Sequence, residues 1–237
     1  MIDIETDIVM NPDVELIDVS KVYGEGIKVT ALERINLKVE RGEFISIVGP
    51  SGSGKTTLLN IIGTLDRPTE GKVLIAGRDT TKMNDDELSE IRNRFIGFVF
   101  QAFNLINRLT AQENVELPLI ARGVPRKERE KRAIEALNIV GLADKAKKKP
   151  TELSGGEQQR VAIARSLASD PTLILADEPT GNLDSKNALN VMNVLLDINE
   201  KFSKTIIMVT HNIELANMTK KIIRLRDGRI EGVEALR

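Results

Sequence analysis

The sequence contains no cysteine and no tryptophan, and it has one tyrosine and one histidine among 237 residues. Without cysteine the chain has no disulfide framework, no thiolate metal site and no thiol nucleophile. Lys and Arg number 34 and Asp and Glu number 35, for a formal net charge of -1. Such a balance gives no field that would attract nucleic acid or anionic lipid nonspecifically, so no nucleic-acid partner is expected.

A long apolar run is also missing, because no stretch approaches the roughly eighteen residues that a membrane-spanning helix needs. The acidic start, MIDIETDIVMNPD, lacks the basic-then-apolar order of a signal peptide. We therefore expect a cytoplasmic protein, which would need another protein to hold it at a membrane.

Hydrophobic residues make up 41% of the chain, and their spacing predicts two kinds of β-structure. Residues 14–19 and 29–39 alternate apolar and polar side chains, as half-buried antiparallel strands do. Later apolar segments alternate with helical stretches, which is typical of a parallel sheet; they are residues 44–48, 172–176, 205–209 and 222–225. Between them, residues 102–169 read as helices, with Pro118 breaking one helix and Pro125 in the first turn of the next.

A glycine-rich segment lies between the apolar strand 44–48 and a helical stretch. It reads Gly49, Pro50, Ser51, Gly52, Ser53, Gly54, Lys55, Thr56, Thr57. It fits the phosphate-binding pattern G-x4-G-K-[ST] in the strand, loop and helix order that the pattern requires. Backbone N–H groups and the helix N-terminus would surround phosphate oxygens, Lys55 would reach the β and γ phosphates, and Thr56 would offer a hydroxyl to Mg²⁺. The alternative is a plain glycine-rich turn; the context favours a P-loop that binds ATP with Mg²⁺.

Two carboxylates, Asp177 and Glu178, end the apolar segment 172–176. They are predicted to lie at the carboxyl edge of the sheet, where open α/β folds bind ligands. Asp177 would hold Mg²⁺ and Glu178 would polarise the attacking water as a general base. Taken alone, an Asp-Glu pair after a strand has a structural role about as often, and the P-loop favours the catalytic interpretation.

The segment LSGGEQQR, residues 153–160, opens another helix. Ser154 is the expected N-cap, and Gly155 and Gly156 leave the first-turn N–H groups open. A capped helix without ligand is the alternative. Because the P-loop already surrounds the phosphates, a second anion site suggests an approach from the opposite side.

The chain carries, in this order, the P-loop, LSGGEQQR, LADEPTGNLD and a later histidine. With this set of motifs it resembles the nucleotide-binding subunits of ATP-binding-cassette (ABC) transporters. The resemblance covers nearly the whole chain, and the LSGG segment makes it specific. It implies an ABC nucleotide-binding domain over residues 13–237 after a disordered N-terminus at 1–12. This domain comprises a P-loop nucleotidase core with a mostly parallel sheet and an N-terminal antiparallel β subdomain, at 13–101 and 170–237, and an inserted α-helical subdomain at 102–169.

The same resemblance implies roles for further residues. Tyr23 would stack on adenine, and Gln101 would contact Mg²⁺ and the attacking water. Ser154, Gly155, Gly156 and the adjoining Glu157 would bind the γ phosphate in trans. Asp184 would cross a dimer interface, and His211 would contact the γ phosphate.

A closer resemblance lies in residues 101–106 and 113–118, which are similar to the lipoprotein-release and macrolide-export branch, the LolD and MacB type. It implies an ATP-dependent head-to-tail dimer, of two copies or with a paralogous subunit, bound to an integral-membrane permease on the inner face of the cell membrane. Phe103, Leu105 and Ile106 would either contact that permease or pack inside the helical subdomain.

Two other functions stay open from the sequence. One is a soluble ABC ATPase without a permease, such as an iron-sulfur assembly protein, which the 101–106 segment and the lack of a metal-ligand cluster disfavour. The other is a nucleotide-binding regulator without turnover, which would require Glu178 to be inactive.

Overall fold

The computed structural model describes residues 11–236, which form two β-sheets and seven α-helices. Residues 1–10 and 237 lie outside the described part of the chain. The disordered N-terminus predicted for residues 1–12 therefore falls almost entirely outside it.

The strands are β1 (Val14–Tyr23), β2 (Val29–Val39), β3 (Phe44–Val48), β4 (Glu70–Ile75), β5 (Arg78–Asp79), β6 (Ile96–Phe100), β7 (Leu173–Asp177), β8 (Thr205–Val209), β9 (Lys221–Arg226) and β10 (Arg229–Ala235). The helices are α1 (Lys55–Ile62), α2 (Asp85–Phe95), α3 (Ala111–Ala121), α4 (Arg126–Ile139), α5 (Gly155–Leu167), α6 (Ser185–Phe202) and α7 (Ile213–Ala216).

The strands form one antiparallel sheet and one mostly parallel sheet. The four-stranded sheet has the order β2-β1-β4-β5 with antiparallel pairs, and the six-stranded sheet has the order β10-β9-β3-β8-β7-β6. Only β10 runs antiparallel to its neighbour in this second sheet. The mixed α/β fold predicted from the sequence, with an antiparallel and a parallel part, is confirmed.

The parallel sheet is buried on both faces, which explains its uninterrupted apolar strands. In β7, Leu173 and Leu175 belong to a core cluster shared with the antiparallel sheet and α1, whereas Ile174 and Ala176 belong to a cluster shared with α3 to α6. Because successive side chains of a strand point to opposite faces, one strand contributes to both cores.

Helices α3, α4 and α5 lie between β6 and β7 in the chain and pack on one another. The prediction that Pro118 breaks a helix is wrong, because α3 continues through Pro118 to Ala121. Only one turn follows the proline, and burial of Leu119 holds this turn against the core. Pro125 is the N-cap of α4, directly before its first turn. The subdomain boundaries stay a prediction.

Within residues 11–236, no helix is both long enough and apolar enough to cross a bilayer.

Candidate functional site

Four neighbouring strands of the parallel sheet end side by side. Phe100, the last residue of β6, pairs with Asp177, the last residue of β7, and Asp177 pairs with Val209 at the end of β8. Val209 in turn pairs with Ile47, the residue before the last one of β3. Ligands of open α/β folds bind beyond such carboxyl ends, so the residues after these strands form the candidate site.

The P-loop, residues 49–56, connects β3 to α1 and starts this helix without a side-chain cap. Gly54 is the N-cap at φ 99°, no side chain bonds the first turn, and the first turn carries no acidic residue. The positive end of the helix dipole and the first-turn N–H groups are therefore left for an anion.

Two P-loop glycines are required by crowding. A Cβ at Gly49 would lie 2.0 Å from the Leu225 carbonyl oxygen, and a Cβ at Gly54 would lie 2.4 Å from the Ala31 carbonyl oxygen. Gly54 also adopts a φ that L side chains rarely take. The pattern read from the sequence thus has a steric basis at both ends of the loop.

Lys55 is directed back over the loop. Its Nζ donates hydrogen bonds to the carbonyl oxygens of Gly49 and Pro50, both at 2.8 Å. The Ser53 hydroxyl is buried and has no hydrogen-bond partner among residues 11–236. The Lys55 ammonium and the unpaired Ser53 hydroxyl therefore both lie where phosphate oxygens are predicted to bind.

Asp177 lies half-buried at the end of β7. Burial raises the pKa of its carboxyl, the neighbouring Glu178 raises it further, and Lys55 lowers it. A buried carboxylate next to a second one is stabilised by a cation. Asp177, Thr56 and Gln101 together offer carboxylate, hydroxyl and amide oxygens, the ligand type that Mg²⁺ prefers. This donor set fits the predicted magnesium ion.

A site built only from protein carboxylates and imidazoles does not occur in the described residues, because no group of three His, Cys, Asp or Glu side chains there is arranged to hold a metal ion. Mg²⁺ usually keeps few protein ligands and takes others from phosphates and water. The donor set at Asp177 is of that kind.

Glu178 is held in a strained position. Its φ is 47°, which few non-glycine residues adopt. Its N–H donates to the Val209 carbonyl at 2.9 Å, and its carbonyl accepts from the Gly181 N–H at 3.0 Å. Its Oε1 lies 2.9 Å from Nδ1 of His211, and its Oε2 is buried without a partner in the described part of the chain. Oε2 is therefore an unsatisfied acceptor at this sheet edge, and the role of Glu178 as a general base stays a prediction.

Gln101 is tied to the segment that follows Glu178. Its Nε2 donates to Oδ1 of Asn182 at 3.2 Å, and Nδ2 of Asn182 donates to the Gln101 carbonyl at 3.0 Å. A Cβ at Gly181 would lie 2.7 Å from Nε2 of Gln101. This pair of hydrogen bonds fixes Gln101 near the base predicted at Glu178.

Tyr23 ends β1 and lies beside α1. Its hydroxyl donates to Oδ2 of Asp66 at 2.7 Å, and Nζ of Lys21 lies 4.7 Å from its ring centroid. Burial and the Asp66 hydrogen bond raise the pKa of the phenol, whereas a hydrogen bond with Thr57 of α1 lowers it. The side chain is fixed at one end and 41% exposed, so ring surface remains on which a base could stack.

The LSGG segment begins α5 with a complete capping box. The Ser154 hydroxyl accepts from the Glu157 N–H at 3.4 Å, and Oε2 of Glu157 accepts from the Ser154 N–H at 2.8 Å. Lys145 forms an ion pair with Oε1 of Glu157. The Lys145 hydrogen bond first and the Ser154 N–H second lower the pKa of Glu157 to about 2. A paired negative charge therefore lies at this helix start.

The start of α6 lies against the start of α5. Asp184, the N-cap of α6, accepts from the Asn187 N–H at 2.9 Å and from Nδ2 of Asn187 at 2.6 Å. A Cβ at Gly156 would lie 2.6 Å from Oδ1 of Asn187. Ser154 and Asp184 are both exposed, so two helix starts share one exposed polar surface.

The structure brings part of the predicted site together. The P-loop, Gln101, Asp177, Glu178 and His211 meet at one sheet edge. In residues 11–236 no hydrogen bond joins Ser154, Gly155 or Gly156 to the P-loop, and the roles of the individual residues stay predictions.

Four contact residues were not predicted: no motif marks three of them, and Asn182, although it lies in LADEPTGNLD, was given no role. They are Asp66 at Tyr23, Asn182 at Gln101, Lys145 at Glu157 and Asn187 at Asp184.

Comparison with known proteins gives consistent results. Residues 32–181 match the family described as "ABC transporter". An uncharacterized ABC transporter ATP-binding protein of Thermotoga maritima is 55% identical over 226 residues, which are 95% of this chain and 96% of that protein. The lipoprotein-releasing system ATP-binding protein LolD of Aquifex aeolicus is 54% identical over 201 residues, 85% of this chain and 89% of LolD.

A solved structure agrees in sequence and in fold. It is the dimeric post-hydrolysis state of the ATP-binding cassette MJ0796, bound to ADP and Pi, from Methanocaldococcus jannaschii. It shares 52% identity with a TM-score of 0.85, over 94% of this chain and 99% of that one. Both the family match and these relatives bear out the resemblance read from the motifs: the chain belongs to the ABC transporter family, as an ATP-binding, ATP-hydrolysing subunit.

Proposed function

We propose that two copies of this chain close head to tail on two Mg·ATP and that this closure drives a membrane permease. Each nucleotide lies between Lys55 of one subunit and Ser154 of the other, with Asp184 at the interface. Hydrolysis reopens the pair, and the release-type branch of the family, to which LolD belongs, is the branch we assign.

The observation that carries this proposal is the exposed surface formed by the starts of α5 and α6. The hydrogen bonds described for Ser154 go to Glu157 and Gln158 of its own helix, and Ser154 is exposed, so this helix start is accessible at the surface of its own subunit. A relative that is 52% identical is a dimer with ADP and Pi. A second copy is the occupant that would present a P-loop nucleotide to this surface.

Each residue has one task in the proposed reaction. Tyr23 stacks on the adenine, the P-loop N–H groups and Lys55 bind phosphate oxygens, and His211 contacts the γ phosphate. Oε2 of Glu178 polarises the attacking water, a contribution of about 10² to 10⁴ in rate. Thr56, Asp177 and Gln101 would hold Mg²⁺, which supplies neutralisation of the phosphate charge.

We assign the permease contact to a groove of about 490 Å³, which is lined by residues of α2, β6, α3 and α5. Its wall includes the stacked rings of Phe98 and Phe100, with centroids 5.7 Å apart, and it also carries Arg92 and Arg165. Within residues 11–236 neither arginine has an ion-pair partner; their hydrogen bonds go to carbonyl and hydroxyl oxygens. Apolar walls with unpaired arginines suit an amphipathic segment that carries a carboxylate.

Phe103, Leu105 and Ile106, which the sequence left either in contact with the permease or packed inside the helical subdomain, do not line this groove. Leu105 packs against the helical core, and a Cβ at Gly155 would lie 3.8 Å from the ring of Phe103. Ile106 is 38% exposed. Ile106 is the most exposed of the three and is available as a contact beside the groove.

The dimer is tested with the Glu178→Gln variant, which should lose steady-state hydrolysis and accumulate in the ATP-bound state. Size exclusion with light scattering should show a mass twice that of one chain when ATP and Mg²⁺ are present. Lys55→Ala in the same background is the control and should stay monomeric. A Glu178→Gln chain that stays monomeric with ATP would rule out the head-to-tail mechanism.

The same trapped chain tests the permease half of the proposal. Purified from its native membranes in detergent, it should retain an integral-membrane protein. Arg92→Glu in the groove should release that protein, whereas Arg94→Glu, on the same helix but paired with Glu90, should not. Equal retention by both variants would contradict the assignment of the groove.

A further inference from the structure

One buried side chain of α5 contacts both halves of the hydrolysis site. Gln159 has no exposed surface. Its Nε2 donates to the carbonyl oxygen of Pro179 at 2.6 Å and to the carbonyl oxygen of Phe100 at 3.2 Å. A single amide group thus holds two backbone segments that are far apart in the chain.

These two carbonyls adjoin the residues to which the chemistry is assigned. Pro179 follows Glu178 directly, and Phe100 precedes Gln101 directly. Gln159 itself lies on the helix that Ser154 begins. The amide therefore connects α5 to the base on one side and to Gln101 on the other.

The other half of the Gln159 amide is left without a partner. Its Oε1 is buried and accepts no hydrogen bond within the described residues. An unpaired buried acceptor costs stability, and an apolar side chain of similar length would fill the same space without that cost. The presence of an amide here indicates that its two donated hydrogen bonds are what the position requires.

We infer that Gln159 is a positioning residue for ATP hydrolysis, which holds Glu178 and Gln101 at a fixed distance from α5. The inference rests on the roles proposed above for these two residues. Because α5 is a continuous helix, a displacement at Ser154 is carried to Gln159 and then to both carbonyls. Binding of nucleotide at the start of α5 thereby bears on the geometry of the base at Glu178, through Gln159 in the second turn of the helix.

The first test is Gln159→Met, which keeps the length of the side chain and removes both donors. Catalytic rates are sensitive to misplacement of about 1 Å, so kcat should fall by about tenfold or more. The KM for ATP should stay within about threefold of the unsubstituted chain, because no P-loop contact is changed.

Asn199→Leu is the matched control. The Asn199 amide is buried and also bridges two carbonyls, those of Gly42 at 3.0 Å and Lys204 at 2.7 Å, near the end of α6. Both variants should lower the melting temperature, but only Gln159→Met should lower kcat. An equal loss of kcat in both would mean that the amide has only a structural role and would overturn the inference.

A pH profile of Gln159→Glu provides a readout that lost stability does not mimic. A carboxylate cannot donate to the two carbonyls, whereas a protonated carboxyl donates one hydrogen bond. Burial raises the pKa of such a group, so kcat relative to the unsubstituted chain should rise between pH 8 and pH 6. A flat ratio over this range, or a Gln159→Met kcat within about twofold of the unsubstituted value, would overturn the inference.

Failure of this inference differs visibly from failure of the proposed mechanism. If only the positioning role of Gln159 is wrong, Glu178→Gln still abolishes hydrolysis. If the assigned base is wrong, Glu178→Gln retains hydrolysis.

Discussion

Helices α1 and α5 both begin at positions predicted to bind ATP phosphates, but their N-termini are built differently. The start of α1 has glycine as its N-cap, no side-chain hydrogen bond and no acidic residue, and Lys55 is its first residue. The start of α5 has Ser154 and Glu157 in a reciprocal capping box, with Lys145 paired to the glutamate.

This difference assigns nucleotide binding mainly to α1 and closure of the two subunits to α5. At α1 the backbone N–H groups and the positive helix end are not used by the protein itself, so they are available for phosphate. At α5 a carboxylate already occupies the cap, and the ammonium of Lys145 offsets its charge. We therefore expect α1 to provide most of the nucleotide affinity and α5 to provide a weaker contact that is made when two subunits meet.

Removal of the lysine at α1 should have the largest effect. Lys55→Ala loses charge-assisted hydrogen bonds to two phosphates, each worth about 1.5 to 3 kcal/mol. The Kd for ATP, measured by calorimetry, should rise by about 100-fold or more. Lys204→Ala, which removes an ion pair with Asp170 away from the P-loop, is the control and should bind normally. Tight binding by Lys55→Ala would mean that α1 is not the main phosphate site.

Removal of Lys145, which pairs with Glu157 of α5, should have a smaller effect, confined to closure of the two subunits. Lys145→Met leaves the Glu157 carboxylate uncompensated beside the incoming phosphates. We expect ATP-dependent dimerisation in the Glu178→Gln background to weaken about fivefold, or about 1 kcal/mol, with an unchanged Kd of the monomer for ATP. Adding Glu157→Gln should restore dimerisation, because the charge to be compensated is gone. The same loss with and without Glu157→Gln would contradict this account of α5.

The smallest effect concerns stability and pH. The pKa of Glu157 lies at about 2 in the folded chain, below its ordinary value of 4.5. A carboxyl with a lowered pKa stabilises the fold at pH values above its ordinary pKa of 4.5. This stabilisation is lost as the pH falls from about 4.5 towards 2. Against Glu157→Gln, the unsubstituted chain should melt about 2 to 4 °C higher at neutral pH, a difference of about 1 kcal/mol.

Thermal melts of both proteins between pH 7 and pH 3 measure this difference. It should shrink as the pH falls. A difference that does not change with pH would show that the cap, and not the charge of Glu157, is what matters at α5.

Local patterns predicted the elements and the order of the motifs. Alternation in residues 29–39 and the apolar run 172–176 depend on burial of nearby residues, and they correspond to β2 and β7. The requirement for glycine at positions 49 and 54 follows from close backbone contacts, and a sequence pattern records it directly.

Contacts that side chains make with residues distant in sequence were not predictable in the same way. Lys145 meets Glu157 and Gln159 meets Phe100 only because of how α5 packs. No periodicity marks either pair. Pro118 shows the converse case, since packing of α3 overrides a local rule that is otherwise reliable.

The two-sided burial of β7 bears on how the chain unfolds. Leu173 and Leu175 belong to one core, and Ile174 and Ala176 to the other. Loss of this strand would remove side chains from both cores at once. Residues 11–236 should therefore melt in a single cooperative transition, even though the chain contains two sheets and a group of helices.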